Sequence, residues 1–170
     1  MEYLIIDGYN VINSWPELKE LKEHDLETAR EKLVDMLAQY QALTGEHLIL
    51  VFDAHMVKGG KQHIEQYGEI EVVFTREGET ADHFIERLVH MINNKAVVRV
   101  VTSDWTEQQV VLAAGGVRVS AREFREELLK LIEVAQKYNL ESEKHRLENI
   151  GYRLKDEIRE KLEKWRRKKS

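Results

Sequence analysis

Five carboxylates occur at points where short apolar segments of the chain end. Asp7, Asp53 and Asp104 directly follow three such segments, and Glu79 and Asp82 lie at the start of the helical pattern that follows another. In an open parallel sheet the carboxyl ends of the strands meet at one edge, so we expect these side chains to converge. Clustered carboxylates stay ionised only when a cation joins them, and oxygen ligands favour Mg²⁺ or Mn²⁺. Such a site is suited to hydrolysis of phosphodiester bonds by water.

Each acid, taken alone, also has an ordinary structural interpretation. Asp7 could form a turn with Gly8, and Asp82 could be a first-turn residue that the helix dipole favours. Asp104 could cap the helix that begins near Thr106. The occurrence of several acids after successive strands favours the metal site over these separate explanations.

The segments that must position these acids predict an α/β fold. Five are short, rich in β-branched residues and mostly continuous, which is typical of strands covered on both faces: 3–6, 48–52, 70–74, 97–101 and 117–119. Helical patterns lie between them at 26–40 and 81–92. The alternation predicts a doubly wound, largely parallel sheet, with Pro16 in the connection after the first strand.

The end of the chain is helical in pattern, with one interruption. Residues 139–151 are polar and show no sustained apolar face, so we interpret them as a loop or hinge. The chain is accordingly divided into a domain at 1–138 and a second part at 139–170, a linker and a basic C-terminal helix packed on or extending from that domain. Because no extended heptad pattern is evident, we expect no stable protein partner.

Composition excludes several classes of protein. The 170 residues include no cysteine, which excludes disulfides, thiolate zinc sites and cysteine nucleophiles. No apolar segment is long enough to span a membrane, so we expect no membrane partner, and the absence of disulfides fits a cytoplasmic location. The net charge is −5, but residues 122–170 contain 15 basic and 11 acidic residues, which leaves 11 basic and 20 acidic ones in 1–121. The basic C-terminal part is therefore the region in which polyanion binding is expected.

Four short motifs carry a resemblance to a known family: Asp7-Gly8-Tyr9-Asn10, Val51-Phe52-Asp53-Ala54, Glu79-Thr80-Ala81-Asp82 and Thr102-Ser103-Asp104. Together they resemble the NYN branch of PIN-like nucleases, and more closely the YacP-like, ribosome-associated endoribonucleases. The likeness runs over nearly the whole chain. It implies a PIN-like, three-layer fold with a central, mostly parallel sheet and a helical C-terminal extension, in which 1–138 is the nuclease domain. It further implies divalent-metal-dependent cleavage of mRNA in the bacterial cytoplasm, in association with the ribosome.

The resemblance also implies roles for the acids at the motif positions. Asp7, Asp82 and Asp104 would be the catalytic, metal-binding acids, with Asp53 and Glu79 as supporting ligands and Mg²⁺ or Mn²⁺ as the cofactor. Asn10 would lie nearby and orient an acid or a phosphate.

Further residues are candidates for contact with RNA. The glycine-containing segment with His55, Lys58 and Lys61 could bind phosphates or be an ordinary surface loop. Trp15 and Trp105 each lie just beyond a proposed acid and could stack on an unpaired base or pack in the core. The basic candidates in the C-terminal part of the chain are Arg122, Lys164, Arg166 and Arg167.

Two functions from different classes remain open. One is the metal-dependent endoribonuclease; the other is a non-catalytic module with the same fold that binds RNA or the ribosome. A phosphatase of the haloacid-dehalogenase type is excluded, because the first strand ends in Asp7-Gly8-Tyr9 and lacks the Asp-x-Asp spacing that this chemistry uses.

Overall fold

A central six-stranded sheet organises the fold. The structure is a computed structural model and describes residues 1–54 and 62–169. The strands are β1 (Glu2–Asp7), β2 (His47–Phe52), β3 (His63–Tyr67), β4 (Ile70–Phe74), β5 (Val97–Val101) and β6 (Val117–Val119). Their order is β3-β4-β2-β1-β5-β6, and all pairings are parallel except the antiparallel β3–β4 pair. The predicted α/β class with a mostly parallel sheet is therefore confirmed.

The described residues form six helices, of which the first five lie between strands and the sixth follows the last strand: α1 (Gly8–Ser14), α2 (Pro16–His24), α3 (Leu26–Thr44), α4 (Ala81–Ile92), α5 (Trp105–Ala113) and α6 (Ala121–Lys169). The predicted helices at 26–40 and 81–92 correspond to α3 and α4. The sequence analysis places Pro16 in the connection after the first strand. In the structure this connection contains a helix, and Pro16 is the first residue of α2. Proline is favourable there because its fixed φ suits the helix and a first-turn N–H has no helical partner in any case.

Apolar side chains cover both faces of the sheet. On one face, Ile5 of β1 and Val100 of β5 share a buried cluster with Phe84 and Ile85 of α4. Val51 of β2 belongs to the same cluster. Because successive side chains of a strand point to opposite faces, its neighbour Phe52 faces the other side of the sheet. There its ring lies 4.9 Å from the ring of Tyr9 in α1. Because the central strands are buried on both sides, they are nearly continuous apolar segments.

The strand β3 was missed by the sequence analysis. It pairs with β4 at the edge of the sheet, and four of its five residues are exposed. A polar edge strand has neither the continuous apolar run nor the strict alternation by which strands are recognised.

The last helix, α6, is continuous from Ala121 to Lys169, so the predicted loop or hinge at 139–151 is wrong. The segment contains no proline and is rich in Leu, Glu, Lys and Arg, which favour helix. Gly151 is tolerated within the helix at a cost of about 1 kcal/mol.

The chain forms two compact units, Met1–Leu131 and Ile132–Ser170. The predicted division between residues 138 and 139 stays a prediction. In the second unit, every residue from 136 to 168 is exposed. Within the described parts of the chain, no helix has the length and apolar character needed to cross a membrane.

Candidate active site

The site is organised around the end of β1. Asp7 is the last residue of this strand, which lies between β2 and β5, and it is also the residue that caps α1. Its Oδ1 accepts a hydrogen bond from the backbone N–H of Asn10 at 3.5 Å. A Cβ atom at Gly8 would lie only 2.3 Å from the ring of Phe52, so the sequence needs glycine for α1 to begin directly at the strand end. This close approach allows α1 to begin at the residue that follows Asp7.

Three carboxylates come together at this point. Asp7, Asp82 and Glu107 each provide one oxygen atom, and these atoms all lie within 4.8 Å of one another. Asp82 lies in the first turn of α4 and Glu107 in the first turn of α5. Helix N-termini carry partial positive charge, which partly stabilises acids held there. Asp82 is exposed, whereas Glu107 is only 2% exposed.

Burial makes two of these carboxylates hard to ionise. It raises the pKa of Asp7 from 3.8 to about 6, and the charges of Asp82 and Asp104 act in the same direction. The hydrogen bonds that Asp7 accepts from Glu107 and from the backbone of Asn10 lower its pKa, but they offset only part of the increase that burial causes. Burial, followed by the negative charge of Asp7, raises the pKa of Glu107 from 4.5 to about 10. Without a cation, burial and the negative charge of Asp7 therefore both favour the protonated form of Glu107.

The hydrogen bonds of Glu107 also fit a metal site. Its Oε2 accepts from the Thr102 hydroxyl at 2.9 Å. Among the described residues, its other oxygen, Oε1, is buried and accepts no hydrogen bond. A buried oxygen of this kind is satisfied either by a proton, which it can donate to Asp7, or by a cation. Three carboxylates, one of them with such an oxygen, are a suitable donor set for a hard divalent cation.

Asp104 has a different position from the one predicted. It is exposed and caps α5, since its Oδ1 accepts from the backbone N–H groups of Thr106 at 2.9 Å and Glu107 at 3.3 Å. It does not belong to the group of three acids, although its charge acts on Asp7. The structure therefore supports the capping interpretation of Asp104, and its direct part in metal binding stays a prediction.

Glu107 is the site residue that the sequence analysis missed. It follows the capping residue Asp104 by three positions, the spacing at which a glutamate often completes a capping box. That spacing could have identified Glu107 as a residue of the first helical turn, close to the strand end. The sequence does not show that it turns towards Asp7, because that requires the packing of α5 against the sheet.

Asp53 and Glu79 lie outside the group of three acids. Asp53 accepts a hydrogen bond from the backbone N–H of Ala81 at 3.4 Å, which places it at the N-terminus of α4. Glu79 is largely buried and forms ion pairs with Arg87 at 2.7 Å and Arg76 at 3.6 Å. These contacts hold the segment that leads into α4, and metal binding by either acid stays a prediction.

Asn10 has a positioning contact. Its Oδ1 accepts from the backbone N–H of Ser103 at 2.7 Å, so it ties α1 to the loop between β5 and α5. This loop leads directly into Asp104 and Glu107. Asn10 thus helps to keep the acids of α5 beside Asp7.

The two tryptophans predicted to contact bases differ sharply. Trp15 is fully buried, lies 5.8 Å from the ring of Phe124, and donates its indole N–H to the carbonyl of Ala121 at 2.8 Å. Of the two interpretations of Trp15, the structure therefore supports packing in the core and contradicts stacking on a base, since its ring has no accessible face. Trp105 is 69% exposed and is the first residue of α5, two positions before Glu107.

The basic candidates are exposed where the structure describes them. Arg122 forms an ion pair with Glu126 at 3.5 Å, and both side chains are highly exposed. Lys164, Arg166 and Arg167 lie on the exposed C-terminal part of α6. His55, Lys58 and Lys61 lie outside the described residues. RNA contact by these residues stays a prediction.

Comparison with known proteins identifies the family. The YacP-like NYN domain matches residues 4–167. The chain belongs to the YacP-like NYN domain family. YacP of Bacillus subtilis (strain 168) is 41% identical over 172 residues, which cover 98% of each chain. The resemblance to YacP-like NYN proteins that the four sequence motifs carry is thereby confirmed.

Solved structures of the family share the fold. The crystal structure of Rae1 (YacP) from Bacillus subtilis matches 98% of this chain and 95% of its own chain, at 40% identity and a TM-score of 0.72. The structure of a tryptophan-to-leucine variant of the same protein matches 81% of this chain and 80% of its own, with a TM-score of 0.71. The NYN domain is nuclease-like and related to PIN domains, and this family member has acids at the edge of the sheet that can bind a metal ion.

Proposed function

We propose that this NYN protein is a divalent-metal-dependent endoribonuclease that hydrolyses phosphodiester bonds in mRNA. The observation that carries the proposal is the cluster of Asp7, Asp82 and Glu107 at the carboxyl edge of the parallel sheet. The cofactor is Mg²⁺ or Mn²⁺, which fits a donor set of carboxylate oxygens. The association with the ribosome and the cytoplasmic location belong to the same proposal, and they are supported by the resemblance to YacP-like endoribonucleases.

In this proposal Asp7, Asp82 and Glu107 hold the cation. When bound, such a cation polarises the phosphate and lowers the pKa of water, so that hydrolysis proceeds at neutral pH. Glu107 would hold the cation as a carboxylate, so it would have to give up any proton that it carries to solvent. Asn10 and the cap at Asp104 keep the first turn of α5 in place during this change.

Exposed groups beside the acids are available to position the RNA. Trp105 presents its ring at the beginning of α5, where an unpaired base can stack on it. Two residues further on, Glu107 faces the metal-binding position. This adjacency suits single-stranded RNA, whose bases are free to leave the stack.

The test compares two matched substitutions of aspartate in one assay. Purified protein is incubated with translating ribosomes and their mRNA, with Mg²⁺ or Mn²⁺ or with EDTA, and cleavage is mapped by primer extension. We expect cleavage that EDTA abolishes and that Asp82→Asn lowers about 100-fold or more. Asp35→Asn, which changes an exposed aspartate on α3, should cleave like the unchanged protein.

The remaining outcomes separate the alternatives. Cleavage by Asp82→Asn at the unchanged rate would contradict the assignment of the metal site. Ribosome binding by the unchanged protein without any cleavage would favour the non-catalytic module. A parallel reaction with free mRNA shows whether the ribosome is required.

A further inference from the structure

The second half of α6 presents a row of large apolar side chains to solvent. Leu140, Leu147, Leu154, Ile158 and Trp165 are between 53% and 67% exposed. Exposed apolar side chains aligned on one side of a helix are typical of a surface that contacts another protein. We call the helical segment 140–165 the seam helix.

Five of the exposed apolar residues of the seam helix occupy the core positions of a heptad repeat, whereas Ile150, Tyr152 and Leu162 lie at flanking or outer positions. One position of the repeat holds Leu140, Leu147, Leu154 and Lys161, at intervals of seven residues. The other core position holds Lys144, Gly151, Ile158 and Trp165 at the same interval. Each of the first three precedes a member of the first set by three residues, as Lys144 precedes Leu147. These two sets are the d and a positions of a coiled coil, and the repeat continues for nearly four heptads. It becomes visible only because the helix is continuous through 139–151.

We infer that the seam helix pairs with the seam helix of a second copy of this chain, as an antiparallel two-stranded coiled coil. The segment has 26 residues and is therefore about 39 Å long. Because both copies contribute the same surface, every contact across the two-fold axis occurs twice. This inference goes beyond the proposed nuclease function and does not depend on it.

Side-chain size supports the antiparallel orientation. In antiparallel coils each a residue faces a d residue of the other helix, and one register aligns all members of the two sets. It places Leu147 opposite Ile158 of the second copy, and Leu140 opposite Trp165. At the centre it places Gly151 opposite Leu154. The space beside Gly151 is open, since a Cβ added there would have no heavy atom within 4 Å apart from its chain neighbours and the backbone of its own helix. The fourth layer joins Lys144 and Lys161, whose long side chains can carry their charges out to water.

The flanking charges favour the same orientation. The antiparallel register brings Glu148 beside Lys155 of the second copy and Glu143 beside Lys164, and each pair occurs twice. A parallel coil would instead place Glu143 beside Glu148. It would also align the two basic ends, since residues 153–168 contain eight basic and four acidic side chains. The charge pattern thus acts against the parallel alternative.

The first experiment measures the mass of the full chain by light scattering over a range of concentrations, without RNA. We expect the mass to rise from 20.0 kDa towards twice that value as concentration increases. Leu147→Glu combined with Ile158→Glu should keep the protein monomeric. Asn149→Glu combined with Tyr152→Glu adds the same charge on the opposite face of the helix and should leave the dimer intact. Circular dichroism of each variant checks that the helix is retained.

A second experiment tests the orientation. Because the chain has no cysteine, Leu147→Cys and Ile158→Cys can be introduced as single thiols. In the antiparallel register, identical positions of the two copies are 11 residues apart, about 16 Å along the helix. Neither variant should therefore cross-link by itself under mild oxidation, whereas a mixture of the two should do so.

Three results would overturn the inference. A mass of 20.0 kDa at all concentrations excludes self-association. A dimer that survives Leu147→Glu with Ile158→Glu places the contact elsewhere. Efficient cross-linking of each cysteine variant by itself indicates a parallel pair.

Discussion

Replacing Asp7 by asparagine is expected to stabilise the cation-free protein at pH 8 while it removes the cation site. Burial raises the pKa of Asp7 from 3.8 to about 6, so the folded protein resists ionisation of this group. Asparagine has almost the same shape, carries no charge, and is as good a residue as aspartate at the start of a helix. It therefore keeps the cap of α1 and removes the unfavourable charge.

The sign and size of the effect follow from the linkage between protonation and folding. A carboxyl whose pKa is higher in the folded state contributes its full stability below pH 3.8, and this contribution is lost as the pH rises through 6. One pKa unit corresponds to about 1.4 kcal/mol, so ionised Asp7 lowers the free energy of unfolding by about 3 kcal/mol at pH 8. For a chain of this length, this corresponds to an increase of about 6–12 °C in the Tm of Asp7→Asn.

The assay is urea unfolding in EDTA, followed by circular dichroism at pH 5 and pH 8. We expect Asp7→Asn to exceed the unchanged protein in stability at pH 8, and the difference to shrink at pH 5. Addition of Mn²⁺ should raise the stability of the unchanged protein and leave the variant nearly unaffected, because only the former has the complete acid cluster. A variant less stable than the unchanged protein at pH 8, or an equal difference at both pH values, would refute the assignment of a raised pKa to Asp7.

Two further predictions concern residues around the acids. Gly8→Ala should lower the free energy of unfolding by about 1–3 kcal/mol in urea titrations, since its Cβ would lie 2.3 Å from the ring of Phe52; unchanged stability would show that the ring moves freely. Trp105→Ala should weaken the binding of single-stranded RNA at least about fivefold in fluorescence anisotropy, without lowering the Tm, whereas Trp15→Ala should lower the Tm markedly because Trp15 is fully buried. Equal RNA affinity of Trp105→Ala and the unchanged protein would contradict base stacking at α5.

The sequence identified the edge of the sheet at which the acids gather, because the ends of parallel strands are set by continuous apolar segments. Asp7 and Asp82 were predicted for the site, and the structure places both in the cluster. Glu107 could not be found in this way, since it lies one turn inside a helix and reaches Asp7 only through tertiary packing. Asp104 follows a strand as predicted, but its carboxylate is used by the backbone of α5.

The segment 139–151 and Trp15 also differ from the sequence-based expectation, because the same residue pattern suits different structures in different surroundings. The segment 139–151 was interpreted as a loop because its apolar residues do not form a stripe of the width that covers a globular core. Leu140 and Leu147 are instead seven residues apart, which suits a narrow helix–helix contact. The position of Trp15 after β1 is compatible with base stacking, but the fold places its ring against Phe124 of α6. The burial of Trp15 is not encoded in its local sequence, whereas the helical propensity of 139–151 is, and only the spacing of its apolar residues departs from the pattern of a core helix.

The positions of the three clustered acids along the chain have a consequence for protein synthesis. Asp7 is synthesised near the beginning of the chain, whereas its partners Asp82 and Glu107 follow much later, in the helices α4 and α5 that lie before and after β5. Parallel pairing of β1 with β5 cannot form until residues 97–101 have left the ribosome. A nascent or truncated chain that ends before Glu107 therefore contains strands and helices but no complete cluster. The site is therefore assembled only after β5 and the first turn of α5 have been synthesised and β5 has paired with β1.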